Sequence, residues 1–203
     1  MKLLKRVSRK EVKRCFVMSN FIRWGKKQKG HLHKISRYEF LKKVDLAKKK
    51  VKKLKESQLN KIISNEWQKR PDAYNMSDWY LGEVKPSEVG VWKRAGELAT
   101  AWTNNSLAET ARHMKYAMVH GKLKRRRIRA VKAVKGILET NVDLIQEEKY
   151  LYPIVFKGGT GTNGRKGLKK KMKGDIDDGC MRSIALAING AKKIKVYYGV
   201  PKK

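Results

Sequence analysis

The residues best suited to chemistry are Asp175, Asp177 and Asp178, the only carboxylate cluster in a strongly basic stretch of the chain. Aspartate oxygens are preferred ligands of Mg²⁺, and bound Mg²⁺ assists phosphodiester hydrolysis. Asp175 and Asp177 are therefore candidate catalytic residues of a Mg²⁺-dependent nuclease. The structural alternative is that Asp177 or Asp178 caps the N-terminus of the following helix, where negative charge is favourable.

The sequence around these aspartates resembles a known kind of enzyme over a short stretch. The run KGDIDD at residues 173–178, followed by Arg182, is similar to the metal-binding helix of small dimeric phage-type Holliday-junction resolvases. The resemblance implies a structure-specific endonuclease with Mg²⁺ as its cofactor. The chain departs from the pattern twice, because Arg182 lies one residue too far along and no acidic residue follows Asp178.

Three segments crowded with Lys and Arg predict a polyanionic partner: residues 42–55, 122–135 and 165–173. Such side chains bind phosphates by displacing condensed counterions, and they need not read the base sequence. The second segment is rich in arginine, which suits bidentate contact with phosphate, whereas lysine predominates in the other two. The predicted nucleic-acid-binding residues are Lys48, Lys49, Lys52, Lys53, Arg125, Arg126, Arg127, Arg129, Lys132, Arg165, Lys166, Lys169, Lys170 and Lys171.

The overall charge favours the same kind of partner. Lys and Arg number 51 against 18 Asp and Glu, which gives a formal net charge of +33. Solubility alone needs a net charge of only about 2 to 8 in a small domain. Because a polyanion relieves the self-repulsion of such a chain, we expect DNA or RNA as the partner, ahead of a membrane or an acidic protein.

Composition predicts a folded, non-secreted protein. Apolar residues make up 40% of the chain, which suffices for a core. The N-terminus is charged from Lys2 onward, and no apolar run suits a signal peptide or a bilayer span. Cys15 and Cys180 indicate two buried thiols rather than a disulfide. We expect an intracellular protein of the cytoplasm, nucleoid or nucleus, or a virion-associated one of viral, phage or mobile-element origin.

Two further motifs bear on cofactors and on base contacts. The Gly-rich residues 158–167 space two glycines as in a P-loop, but the Lys-Ser/Thr pair that must follow is missing, which favours a mobile basic loop. We therefore expect no cofactor, with Mg²⁺ required only if the protein is a nuclease. Trp24, Trp79 and Tyr80 lie near basic residues and are candidates for stacking on unpaired bases.

Helical periodicity dominates the first three quarters of the chain. It predicts helices over residues 2–24, 36–68, 87–103, 106–120 and 123–147, with capping boxes at Ser36 and Ser106. Strands are predicted only at residues 150–156 and 194–198, with one short helix between them. The predicted fold is mainly α, with helical hairpins or a bundle and a small C-terminal α+β element of two short strands and one helix.

The predicted elements suggest four regions. These are a basic N-terminal helical region (1–72), a connector (73–86), a helical domain (87–149) and a basic loop with the small α+β element (150–203). Helices on either side of Asn104-Asn105 favour an ordinary helical hairpin, because the turn lacks a glycine, with a helix-turn-helix as the alternative. In a helix-turn-helix, the second helix would read bases with Thr110, Arg112, His113 and Tyr116.

Together these patterns favour a non-enzymatic protein that grips the phosphate backbone of a nucleic acid through several basic clusters. Two alternatives stay open: a junction-resolvase-like nuclease that uses Asp175 and Asp177, and a structural component of a ribonucleoprotein particle. The sequence leaves open DNA against RNA, base specificity and oligomeric state.

Overall fold

A computed structural model of the chain describes residues 1–23, 36–66, 70–92, 95, 98–121, 125–140, 142–158 and 172–202, apart from the side chains of residues 23, 66, 125–129 and 140. The strands are β1 (Lys2–Val7), β2 (Ser77–Val84), β3 (Val89–Val91), β4 (Asn105–Ser106), β5 (Ile154–Phe156), β6 (Gly174–Asp178) and β7 (Ile194–Pro201). The helices are α1 (Arg9–Arg23), α2 (Arg37–Lys53), α3 (Glu56–Glu66), α4 (Arg70–Asn75), α5 (Leu107–His120), α6 (Arg125–Thr140), α7 (Val142–Glu147) and α8 (Cys180–Ile188). A 3-10 turn at Lys149–Leu151 precedes β5.

The strands form one mixed sheet in the order β1-β2-β7-β5-β6-β3-β4. Pairing is parallel between β5 and β7 and between β3 and β6, and antiparallel at the other four junctions. The longest pairing joins β2 to β7 from Ser77 opposite Pro201 to Val84 opposite Ile194. The sheet therefore takes strands from each of the four regions suggested by the sequence.

The core of the fold lies on both faces of this sheet. On one face, Trp79 of β2 and Phe156 of β5 pack edge to face at 4.9 Å, and Tyr74 of α4 contacts both rings. Phe16 of α1 closes this group at 6.0 Å from Tyr74. Tyr198 of β7 points to the opposite face from its neighbour Tyr197, and both are almost fully buried. Burial on both faces is what a sheet with parallel pairs needs.

The prediction of a mainly α fold with strands only at the C-terminal end is wrong, because seven strands span the chain in one sheet. Residues 2–7 were predicted as the start of a helix and form β1, while most of the predicted connector at 73–86 forms β2. The helix predicted from residue 87 does not begin there, since β3 occupies residues 89–91. Pairing with distant strands overrides a weak local helical pattern at β1 and β3, and it orders the predicted connector at β2.

The prediction of a helical hairpin or helix-turn-helix around Asn104-Asn105 is also wrong, because residues 89–91 form β3, which pairs with β4. Asn104, between these strands, adopts a φ of 63°. The two helix N-caps predicted at Ser36 and Ser106 are confirmed. Ser36 caps α2 by accepting from the Glu39 amide, and Ser106 caps α5 by accepting from the Glu109 amide. The long helices predicted at 36–68 and 123–147 are each divided in two.

Cys15 and Cys180 are buried free thiols, as predicted. Across the described ranges, no helix is long and apolar enough to cross a bilayer.

Candidate nucleic-acid interface

Helix α2 presents a basic surface on the side away from its buried residues. Those residues, Phe40, Val44, Ala47 and Val51, recur at the three- and four-residue spacing of a helix and pack towards α1. Most of the other positions face solvent, including the apolar residues Tyr38, Leu41 and Leu46. Five exposed lysines there have no carboxylate within 4.0 Å among the described residues, and we call them the α2 lysine surface: Lys42, Lys49, Lys50, Lys52 and Lys53.

Lys48 differs from its predicted companions. Its ammonium group lies 2.7 Å from a carboxylate oxygen of Glu148, whose side chain is only 12% exposed. The hydrogen bond to Glu148 raises the pKa of Lys48, and the charge of Glu148 adds to this effect. Lys48 therefore links α2 to the start of the 3-10 turn, and its charge is already neutralised within the protein.

The other two predicted clusters are only partly described. The arginines of the second cluster, Arg125, Arg126, Arg127 and Arg129, lie in the first turns of α6, but their side chains are outside the described residues. Lys132 follows them on α6 and is exposed, whereas Val131 and Val134 are buried. Of the third cluster, Arg165, Lys166, Lys169, Lys170 and Lys171 lie outside the described residues.

A fourth basic surface, which the sequence-based reasoning missed, lies where β1 meets α1. Arg6, Arg9 and Lys202 line a cavity of about 260 Å³ together with Ser8 and Asp78. The Arg6 guanidinium lies 2.6 Å from Asp78, and that of Arg9 lies 3.0 Å from Glu56, so both charges are partly compensated. The sequence contains one signal for this surface, a serine three residues before a glutamate, which is the spacing of a capping box. In the structure the Ser8 side chain accepts a hydrogen bond from the Glu11 amide, and α1 begins at Arg9.

Asp177, a candidate catalytic residue, is buried within the protein. It lies in β6, where its two oxygens accept hydrogen bonds from the Arg70 guanidinium at 3.2 Å and the Tyr74 hydroxyl at 3.0 Å. Burial raises the pKa of Asp177 to about 6, although the nearby charge of Arg70 and the hydrogen bonds work in the opposite direction. The Arg70 guanidinium also lies over the Phe16 ring, 4.9 Å from its centroid.

The neighbouring aspartates are also held by the fold. Asp178 accepts hydrogen bonds from Arg182 at 2.7 Å and from Ser19 at 2.8 Å, so it joins α8 to α1. Asp175 is buried in β6, two residues before Asp177 on the same strand. The residue that caps α8 is Gly179, with no side-chain cap, so the prediction of an aspartate cap is wrong.

These contacts fit a structural role for Asp177 and Asp178 better than metal ligation. Mg²⁺ needs carboxylate oxygens that face a common open point, whereas arginines already occupy these oxygens. In the described part of the chain, no three His, Cys, Asp or Glu side chains form a group that could hold a metal ion.

Two of the three aromatic residues predicted to stack on bases, Trp79 and Tyr80, are poorly placed for it. Trp79 is 1% exposed, and its indole nitrogen donates to the backbone oxygen of Tyr74. Tyr80 is half-buried in the middle of the β2–β7 pairing, and Trp24 lies outside the described residues. The side chains that offer aromatic surface to solvent are others, above all Tyr38 and Tyr116.

Comparison with known proteins adds no further information: no protein-family model matches the chain, and no curated protein or solved structure is detectably similar to it.

Proposed function

We propose that this protein binds nucleic acid through contacts with the phosphate backbone, and that the α2 lysine surface is one of its contact sites. The observation that carries the proposal is a set of five exposed lysines on one helix without a described carboxylate partner. Lys50, Lys52 and Lys53 lie in the last turn of α2, where positive charge is favourable to the helix dipole, but this requires no such excess of cations. All five lysines belong to a chain with a net charge of +33. A polyanion would release counterions by pairing with them.

The spacing of these lysines suits a row of phosphates. Lys42, Lys49 and Lys53 are seven and four residues apart, so they form one stripe along α2. At 1.5 Å of rise per residue, their backbones are separated by about 10 Å and about 6 Å along the helix axis. Lysine carries a compact charge on a flexible stem, so each can follow a separate phosphate with little demand on base sequence.

The test is a double charge reversal, Lys49→Glu with Lys53→Glu. Binding of the wild-type protein and the variant to one labelled duplex is measured over a series of salt concentrations. Two lost phosphate contacts should reduce the slope of log K against log salt by about 1.8, at about 0.9 per contact on a duplex. The matched control is Lys61→Glu with Lys192→Glu, which changes the net charge equally at exposed lysines outside the clusters.

Equal slopes for the α2 variant and the control would show that α2 is not a specific contact site and that only net charge matters. The same titration, repeated with Mg²⁺ on a four-way junction, tests the nuclease alternative. Cleavage that Asp175→Asn or Asp177→Asn abolishes, in protein that remains folded, would support that alternative. No contact in the described residues favours it, and it stays a prediction.

A further inference from the structure

Helix α5 carries a row of aromatic rings along its solvent-facing side. His113 stacks on Trp102 with a ring-centroid separation of 6.4 Å and an interplanar angle of 5°. One turn further along, Tyr116 packs against His120 at 4.8 Å. His113, Tyr116 and His120 are three and four residues apart, which places them on one side of the helix. Trp102 is half-buried and packs against the core, so we call only His113, Tyr116 and His120 the α5 aromatic row.

This row is not needed to form the core. Helix α5 already buries an apolar stripe on its other side: Leu107, Thr110, Ala111, Met114 and Ala117. Tyr116 is 68% exposed and Val119 is 70% exposed, so their apolar surface faces water. Lys115 lies beside them, exposed and without a carboxylate within 4.0 Å in the described ranges, and Arg112 pairs with Glu109 close by.

We infer that the α5 aromatic row binds the unpaired bases of a single-stranded nucleic acid, with Tyr116 as its principal contact; this inference rests on the proposed function. Proteins that bind single strands combine rings for base stacking with cations that follow the backbone, and base faces in a duplex are closed to such rings. The rings of α5 supply the first part, and the exposed ammonium group of Lys115 supplies the second. The row thus selects single-stranded over duplex nucleic acid.

The test compares Tyr116→Ala with Tyr116→Phe, each checked for wild-type circular dichroism. Binding is measured to a labelled thymidine oligonucleotide of about 20 nucleotides and to a duplex of equal length. This length exceeds the roughly 4 to 16 nucleotides that one single-strand-binding domain covers. Stacking on one base contributes about 1–3 kcal/mol, so Tyr116→Ala should weaken single-strand binding by about 5- to 150-fold. Duplex affinity should not change, and Tyr116→Phe should bind like the wild-type protein because its ring is intact.

Met76→Ala is the matched control, since Met76 is a similarly exposed large apolar side chain that lies outside both the α5 aromatic row and the α2 lysine surface. The inference is overturned if Tyr116→Ala retains single-strand affinity, if Met76→Ala lowers it equally, or if duplex binding falls in parallel. It is also overturned if Tyr116→Ala only converts a self-associated protein into a monomer. In these cases the proposed function stands, whereas a wild-type protein that binds neither probe removes both proposals.

Discussion

Replacing Arg70 with methionine tests the role of the buried charges. The Arg70 guanidinium is 9% exposed and faces the fully buried carboxylate of Asp177 at 3.2 Å. Methionine fills much of the space but carries no charge, so Asp177 loses its only described cationic partner. Removing one member of a buried ion pair typically destabilises a protein by about 3–5 kcal/mol, because the other charge stays desolvated.

The loss of stability caused by Arg70→Met should depend on pH, because the protonation of Asp177 changes with pH. Burial raises that pKa from 3.8 to about 6, so the folded protein holds a proton which the unfolded chain releases between those values. The contribution of Asp177 to stability therefore falls as pH rises from about 4 to about 6. Without Arg70 the pKa rises further, so the fall continues above pH 6 at up to about 1.4 kcal/mol per pH unit.

Urea unfolding at pH 5 and pH 8, followed by tryptophan fluorescence, measures both effects. Arg70→Met should lower the free energy of unfolding by about 3–5 kcal/mol at pH 8. At pH 5, where Asp177 is mostly protonated, we expect only about 1–2 kcal/mol, from the lost contact with the Phe16 ring. The double variant with Asp177→Asn should be more stable than Arg70→Met at pH 8, because no unpaired carboxylate remains.

The control is Arg6→Met, which breaks an exposed ion pair with Asp78 and should cost at most about 1 kcal/mol at either pH. Equal losses for Arg70→Met at pH 5 and pH 8 would refute the reasoning. So would a double variant that is no more stable than Arg70→Met at pH 8.

Three further substitutions test other parts of the fold by the same unfolding assay. Burial of Glu88 works to raise its pKa, but hydrogen bonds, above all the one from Lys173, lower it from 4.5 to about 2. After allowance for solvent screening, Glu88→Gln should destabilise the protein by about 1–2 kcal/mol at pH 7. The loss should become progressively smaller as pH falls from about 4.5 to 2. A Cβ atom at Gly199 would lie 2.8 Å from the ring of Trp79, so Gly199→Ala should cost about 1–3 kcal/mol, and a neutral result would contradict the packing described. Ser106→Ala removes the cap of α5 and should cost about 1 kcal/mol, whereas no loss would show that the cap is unimportant.

The parts of the fold that short-range patterns determine could be predicted from the sequence. The caps at Ser36 and Ser106 and the C-terminal strand β7 have local signatures, and the structure confirms them. Strands β1 and β2 were missed because their stability comes from pairing across the chain, Lys2 opposite Glu83 for example. A one-residue β-bulge in β1 and the exposure of that edge strand further weaken the alternating pattern that signals a strand.

In the candidate site, too, the features that depend on local sequence could be predicted, whereas those that depend on contacts between distant residues could not. Charge clusters are visible in composition, so the lysines of α2 could be found, but the pairing of Lys48 with Glu148 joins residues a hundred positions apart. The roles of Asp177 and Asp178 likewise depend on Arg70 and Ser19, which only the folded chain brings near them. The sequence suggests a role for Tyr116 only within a helix-turn-helix, whereas the structure shows that its ring is exposed and packs against His120.

The most direct test of the central proposal is the salt dependence of nucleic-acid binding by the wild-type protein. Affinity for a labelled duplex and for a single strand of equal length is measured over a series of NaCl concentrations. If the five lysines of α2 alone make contact, log K should fall with log salt with a slope of about −4.5 for the duplex and about −3.5 for the single strand, and steeper if other clusters contribute. No association at moderate salt, or an affinity that added NaCl leaves unchanged, would contradict the proposal that phosphate neutralisation is the function of this chain.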